Sequence, residues 1–369
     1  MAQHKNKLRN LAYNIKDKAS VIVATLSIKR HVSSVRVRVL RATTHALTGP
    51  PSEDRIAAVL AVASSNNTSH LLPRVCIDAL MDRLHRTGSA TVALKCLFTL
   101  HNVVVKGPFT LKDQLAYYPS YGGHNFLNLS TFRDDSDLES LQLSDWVRWY
   151  AGVIEQSLTV SRILGYYLRY SSSSSSNTIQ ETNSLTLGTS NADLLYKIEA
   201  LVAFLEQLGK VPESLQLQKK ELVYEVVKLV GEDYRSVQRE IVMRLEEMEG
   251  RMENLDVGEV SELVGYVKRM EECKEKLVML FVNKGRNGGF WDLVRETKER
   301  GLKIKGEIEG KWLTVVVASK TAADSTRFNT NPFLEPGQTS PVPLTSSAFA
   351  TINHNVQFKI EIYVAKSQI

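Results

Sequence analysis

Ten basic residues crowd the first fifty positions: Lys5, Lys7, Arg9, Lys16, Lys18, Lys29, Arg30, Arg36, Arg38 and Arg41. Asp17 is the single carboxylate among them. That end carries an excess of nine positive charges in a chain whose formal total is +6, so the remainder is slightly acidic. Clustered lysines and arginines make charge-assisted hydrogen bonds to phosphate and carboxylate oxygens. A one-ended excess therefore points to a polyanionic partner: a membrane surface, a nucleic acid or an acidic protein. A solvated helix face would give the same charge run, and charge alone does not separate the two.

Bond-making chemistry has no comparable signal. The chain has no glycine-rich phosphate loop, no HExxH pair, no Cys-x-x-Cys and no G-x-S-x-G elbow. The histidines are scattered, and His101, in the apolar run TLHNVVV, reads as a satisfied core residue rather than a general base. The acidic pairs Asp134-Asp135 and Glu246-Glu247 read as solvated. Cys76, Cys96 and Cys273 lie far apart among apolar neighbours, which suits reduced core thiols and neither disulfides nor a thiolate metal site. The expectation is a binding protein, not an enzyme, with no cofactor and no metal.

The elements that must position the basic end are helical. The chain has 369 residues, 43% hydrophobic and 23% charged, enough for a sizeable core or an elongated array. Leu8, Leu11, Ile15, Ala19, Ile22 and Leu26 recur at steps of three and four, predicting an amphipathic helix with most of its lysines off the apolar stripe. A second helix through Val35 and Val39 reaches Thr44, and Gly49-Pro50-Pro51 breaks it. Ser52 or Asp54 can cap the next helix, IAAVLAVA. Further periods run through residues 71–107 and 143–170, then, after the serine run at 171–176, from Ala192 to about Val317. Gly209, Gly258 and Gly285 to Gly289 are expected helix stops. The stripe Leu222, Val226, Val230, Val237, Ile241, Leu245, Met248 and Met252 reads as core. No apolar run is long enough to span a bilayer, and the start lacks the hydrophobic region of a secretory signal. From about Ala318 the composition turns to Thr, Ser, Asn and Pro and the helical period ends. VQFKIEIYV, near the end, alternates like a strand that has no partner strand.

Several of these segments carry a resemblance. Arg41-Ala42-Thr43-Thr44-His45 followed by Gly49-Pro50 is similar to the K-A-T-T-H-x-x-x-G-P signature of the ANTH domain of clathrin assembly proteins. Phe126-Leu127-Asn128-Leu129-Ser130-Thr131-Phe132-Arg133-Asp134 resembles that family's F-N-L-S-x-F-x-D stretch. Ala93-Leu94-Lys95 to His101 and Trp146-Val147-Arg148-Trp149-Tyr150 fall in the same order and spacing, and the plant members resemble the chain most. The resemblance implies an all-α, right-handed superhelical solenoid of about ten helices. It would span residues 1–315, with a flexible serine-rich loop at 171–190 and a disordered tail at 316–369.

The resemblance further implies a non-enzymatic endocytic adaptor. Its basic end would bind phosphatidylinositol bisphosphate in the membrane, and its tail would recruit clathrin-coat and adaptor proteins. The protein would be peripheral, not transmembrane, on the cytosolic side of clathrin-coated pits, clathrin-coated vesicles and the Golgi, with no nucleic-acid partner. The phosphoinositide-binding residues would be Arg41, in the place of the family lysine, with Arg55, Lys29, Arg30, Arg36 and Arg38. The chain departs from the family after Gly49-Pro50: where lysines and a histidine are expected it reads Pro51-Ser52-Glu53-Asp54-Arg55. The alternative is therefore a helical interaction scaffold that has lost phosphoinositide binding. Asn331-Pro332-Phe333 resembles the NPF ligand of EH-domain proteins. The nearest string to a clathrin box, Leu195 to Glu199, lies in a helix whose apolar residues read as core.

Overall fold

The computed structural model describes residues 2–26, 30–46, 49–63, 71–116, 126–168, 188–213, 215–281 and 288–325; the side chains of residues 2–10, 215–216 and 312–325 are not among them. Lys29, most of the serine-rich loop, the Asn331-Pro332-Phe333 motif and the strand-like VQFKIEIYV segment lie outside the described residues. Among those described there are eleven α-helices and no strand.

The helices are α1 (Ala2–Thr25), α2 (Arg30–Ala42), α3 (Glu53–Leu60), α4 (Leu71–Arg86), α5 (Ala90–Lys106), α6 (Phe109–Ala116), α7 (Leu138–Leu164), α8 (Asn191–Gly209), α9 (Glu221–Arg251), α10 (Val257–Leu280) and α11 (Gly288–Ser325). They form the expected all-α solenoid. α1 lies on α2, α2 on α3 and α4, α4 on α5 and α6, α5 on α7, α7 on α8, and α8 on both α9 and α10. One compact unit extends from Met1 to Lys311, and a second begins at Trp312. The apolar stripe of α9 is core, as its spacing predicts: Val226, Val230, Val237, Ile241, Leu245 and Met248 are fully buried.

The boundaries correct the sequence reading in four places. α7 stops at Leu164, short of Tyr170, because Gly165 takes φ +84° and closes the helix in the left-handed region. Gly258 is no stop: it lies in the first turn of α10. The break there is made upstream, by the 3-10 turn Met252–Asn254 and a capping box in which Asp256 accepts from the Glu259 N–H while Glu259 accepts from the Asp256 N–H. α6, only eight residues long, follows Pro108, whose carbonyl accepts from Leu111 and Lys112. The fourth concerns Asp134, which is buried, not solvated. Its carboxylate accepts from the Ala90 N–H at 2.8 Å and from the Ser136 N–H at 3.1 Å. It thereby caps α5, whose own N-cap Ser89 makes no side-chain bond.

Candidate functional site

Three of the six candidate phosphoinositide residues come together on one face of α2. Arg30, Ser34, Arg38 and Arg41 stand at steps of four, four and three, so a helix stacks them in a row. With Thr25, Ser33 and Val37 they line an open pocket of about 330 Å³ beside the end of α1. Arg30 and Arg41 are exposed and form no ion pair among the described residues. Arg38 is anchored, donating from Nη1 to the Ala58 carbonyl at 3.1 Å, so α3 fixes its position. Arg36 is exposed but lies two residues from Arg38, on the other side of the helix, and does not line the pocket. Arg55 is exposed in the first turn of α3 and does not line that pocket.

Most of the Arg41-to-His45 motif builds the junction and does not face solvent. Ala42, Thr43 and His45 are buried. The Thr43 hydroxyl donates to the Val39 carbonyl at 2.8 Å, and the Thr43 carbonyl accepts from Arg83 at 3.2 Å. Lys95, 2% exposed, donates to the Ala46 carbonyl at 2.6 Å. Burial, aided by the Arg55 charge and opposed by Asp17, brings the Lys95 ammonium down to about 8. Arg41 is the motif's exposed cation.

The turn after the motif is acidic. Gly49 has φ +74°, and a Cβ there would come within 2.6 Å of Glu221 Oε2. Glu53 and Asp54 are exposed in the first turn of α3, where the helix dipole favours carboxylates. Ser52 stands at the N-cap but makes no side-chain capping bond; its carbonyl receives the Arg55 and Ile56 amides. Three carboxylates therefore gather around the turn where the resemblance implies a phosphate.

α1 presents an arrangement that sequence reasoning missed. Its apolar stripe faces outward: Leu11 is 56% exposed, Ile15 60%, Ile22 59%, Val23 69% and Leu26 76%. Lys16 and Lys18 are exposed on the two flanks. The inward face carries Tyr13, Asp17, Ser20, Val21 and Ala24. Asp17 accepts from the His45 backbone N–H at 2.9 Å and lies 2.6 Å from His45 Nδ1 and 3.5 Å from Arg83 Nη2. Burial works against the charged form of Asp17, but these His45 hydrogen bonds and the neighbouring charges prevail and hold its pKa below the usual value. Tyr13 stacks on the His45 ring at 5.2 Å. The signal for this was the one acid in a basic stretch.

Elsewhere, polar groups serve the core. His101, 1% exposed, places Nδ1 2.9 Å from the Tyr150 hydroxyl and Nε2 2.8 Å from Asp233 Oδ2, joining α5, α7 and α9. Burial, then the Asp233 charge, pushes the Tyr150 phenol well up. Cys76 and Cys96 are buried free thiols pushed up to about 12 by burial. Leu195 and Ile198 of the clathrin-box-like string are buried. An open groove of about 820 Å³ beside Trp149 and Gln207 sets Arg148 and Lys210 against Asp145, Glu155 and Glu213, a mixed charge with no preference for anions. Among the described residues no His, Cys, Asp and Glu cluster could hold a metal, and no helix is long and apolar enough to cross a membrane.

Comparison with known proteins adds a family. The family model described as ANTH domain matches residues 34–289. A protein of Arabidopsis thaliana named a putative clathrin assembly protein is 37% identical over 358 residues, covering 93% of this chain and 94% of its own length. Two further Arabidopsis thaliana proteins with that description are each 27% identical, over 315 and 305 residues, covering 82% and 79% of this chain and 89% and 99% of their own lengths. The matched span begins inside α2, so α1 and Arg30 precede it.

Proposed function

The chain belongs to the ANTH domain family, and from that premise we propose that it is a peripheral, non-enzymatic adaptor of clathrin-mediated endocytosis that docks on phosphoinositide-containing membrane through α1 and α2. The observation that carries the reading is the row of Arg30, Arg38 and Arg41 around an open pocket next to an outward apolar stripe. A basic side chain near an anionic leaflet contributes about 1 kcal/mol, so three of them alone give an affinity weaker than about 1 mM. The stripe supplies what the arginines lack: Leu11, Ile15, Ile22 and Leu26 would enter the interface while Lys16 and Lys18 reach the head groups on either side. Lys29, next to Arg30 in the sequence, and Arg36 and Arg55 add further positive charge. The acidic Gly49–Pro50 turn would then stand off the phosphate, and the site would lie along α2.

In the same reading the solenoid occupies residues 1–315, and the tail beyond it recruits partners, with Asn331-Pro332-Phe333 offered to EH-domain proteins and other segments to coat and adaptor proteins. Its station is the cytosolic face of coated pits, coated vesicles and the Golgi. Glu53, Asp54 and Glu221 favour the second reading, a scaffold without phosphoinositide binding.

Co-sedimentation of the full chain with vesicles containing phosphatidylinositol bisphosphate, against charge-matched phosphatidylserine vesicles at physiological salt, separates the two. Selective binding that weakens when Arg30, Arg38 and Arg41 are changed together to alanine supports the adaptor. A folded protein that ignores both vesicles supports the scaffold.

A further inference from the structure

Hydrophobic burial alone would place α1 the other way up. Its outward face carries Leu11, Ile15, Ile22, Val23 and Leu26, whereas the face turned to the body offers Tyr13, Asp17, Ser20, Val21 and Ala24. A surface helix ordinarily turns its apolar stripe to the core. Something must outweigh that preference, and the polar contacts of the inner face are the visible candidates. Asp17 takes the His45 backbone N–H at 2.9 Å and the His45 ring at 2.6 Å, with Arg83 3.5 Å away. Tyr13 stacks on the same ring, and the Ser33 hydroxyl donates to the Ala24 carbonyl at 2.7 Å. Rolling α1 over would leave the 2%-exposed His45 and the largely buried Arg83 facing aliphatic carbons, an expensive loss of hydrogen bonds.

Asp17 is also misplaced by charge logic. It is the one acid among the first fifty-two residues, on the element that would meet an anionic leaflet. We propose that Asp17 is a positioning residue of the membrane-docking face, the clip that fixes the roll of α1 so that its apolar stripe points away from the body and beside the arginine pocket. This rests on the membrane reading above for its purpose, but not for its geometry. His45 and Arg83 are the receiving half of the clip, and Thr25, at the end of α1, lines the pocket and joins the two parts of the face.

The two views of Asp17 predict opposite signs. If charge alone matters, Asp17→Asn removes the only negative group of α1 and binding to vesicles tightens. If Asp17 is the clip, the same change lets α1 roll its stripe inward, and binding to phosphatidylinositol bisphosphate vesicles weakens about tenfold. A second measurement reads the roll without any membrane. In full-length protein carrying Cys273→Ser and Ile22→Cys, maleimide labelling of position 22 is fast, and adding Asp17→Asn slows it. Asp17→Glu, which keeps the charge on a longer arm, should recover part of both effects. Vesicle binding that is unchanged or tighter in Asp17→Asn overturns the proposal, as does labelling that is equally fast with and without it. If the wild-type chain ignores vesicles, the membrane reading fails by itself, and the labelling rates still decide the clip.

Discussion

Changing Ile15 and Ile22 together to serine tests the outward stripe where it is cleanest. Both lie on the solvent side of α1, 60% and 59% exposed, so the substitution removes little from the folded core. A fully buried isoleucine gains about 1.5–3 kcal/mol on leaving water. With roughly three fifths of each side chain still wet, about 1–2 kcal/mol per residue remains to be gained at an interface. The double change therefore forfeits about 3 kcal/mol, on the order of 100-fold in vesicle affinity. Co-sedimentation across a lipid titration gives that ratio, with circular dichroism and thermal unfolding to show that the protein is intact. Salt adds an internal control. Screening weakens the arginine contribution and leaves the apolar one, so wild-type binding should fall only partly at about 0.5 M salt while the double variant loses the rest. An intact variant that binds as the wild type does would refute insertion of the stripe, and so would wild-type binding abolished by salt alone.

Further outcomes follow from other positions. Arg41→Ala is expected to weaken vesicle binding about fivefold, whereas Arg36→Ala, on the far side of α2, changes it little; the same co-sedimentation reads both. Gly49→Ala places an L side chain at φ +74° against Glu221 and is expected to cost about 1–2 kcal/mol in denaturant unfolding, of which Glu221→Ala returns the steric part but not the backbone part. The Lys95 ammonium, lowered by burial from 10.5 to about 8, imposes its penalty fully below pH 8, where it is charged in both states, and is relieved as pH rises toward 10, where only the unfolded chain still holds the proton. Unfolding measured between pH 8 and 10 should show stability rising by about 2 kcal/mol, with the rise absent in Lys95→Met. Above about 10 the buried tyrosines, pushed up by burial, reverse the trend.

Periodicity was enough to place most of the helices because each buries a long stripe; α9 is the clearest case, its predicted positions filling the core. It was blind to direction. The stripe of α1 obeys the same spacing as that of α9, yet it faces water, since His45 and Arg83, distant in sequence, hold its opposite face. Ends were harder than interiors. The α9 to α10 break rests on a reciprocal hydrogen-bond pair at Asp256 and Glu259, which reads as ordinary polar sequence, while Gly258 looked like the stop. The site divided the same way: spacing alone sets Arg30, Arg38 and Arg41 on one side of α2 and Arg36 on the other. Which acids press on the Gly49 turn depends on Glu221, folded back from α9.

The contact between His101, Tyr150 and Asp233 has a bearing on how the chain comes into being. The imidazole and phenol belong to α5 and α7, and the carboxylate arrives only with α9. During synthesis the ribosome releases α5 and α7 well before Asp233, so for that interval a histidine and a tyrosine meant for the interior lack their acid. Until α9 is made, the early half of the stack lacks the carboxylate that closes this seam. Any shortened transcript that ends before α9 would leave that seam open.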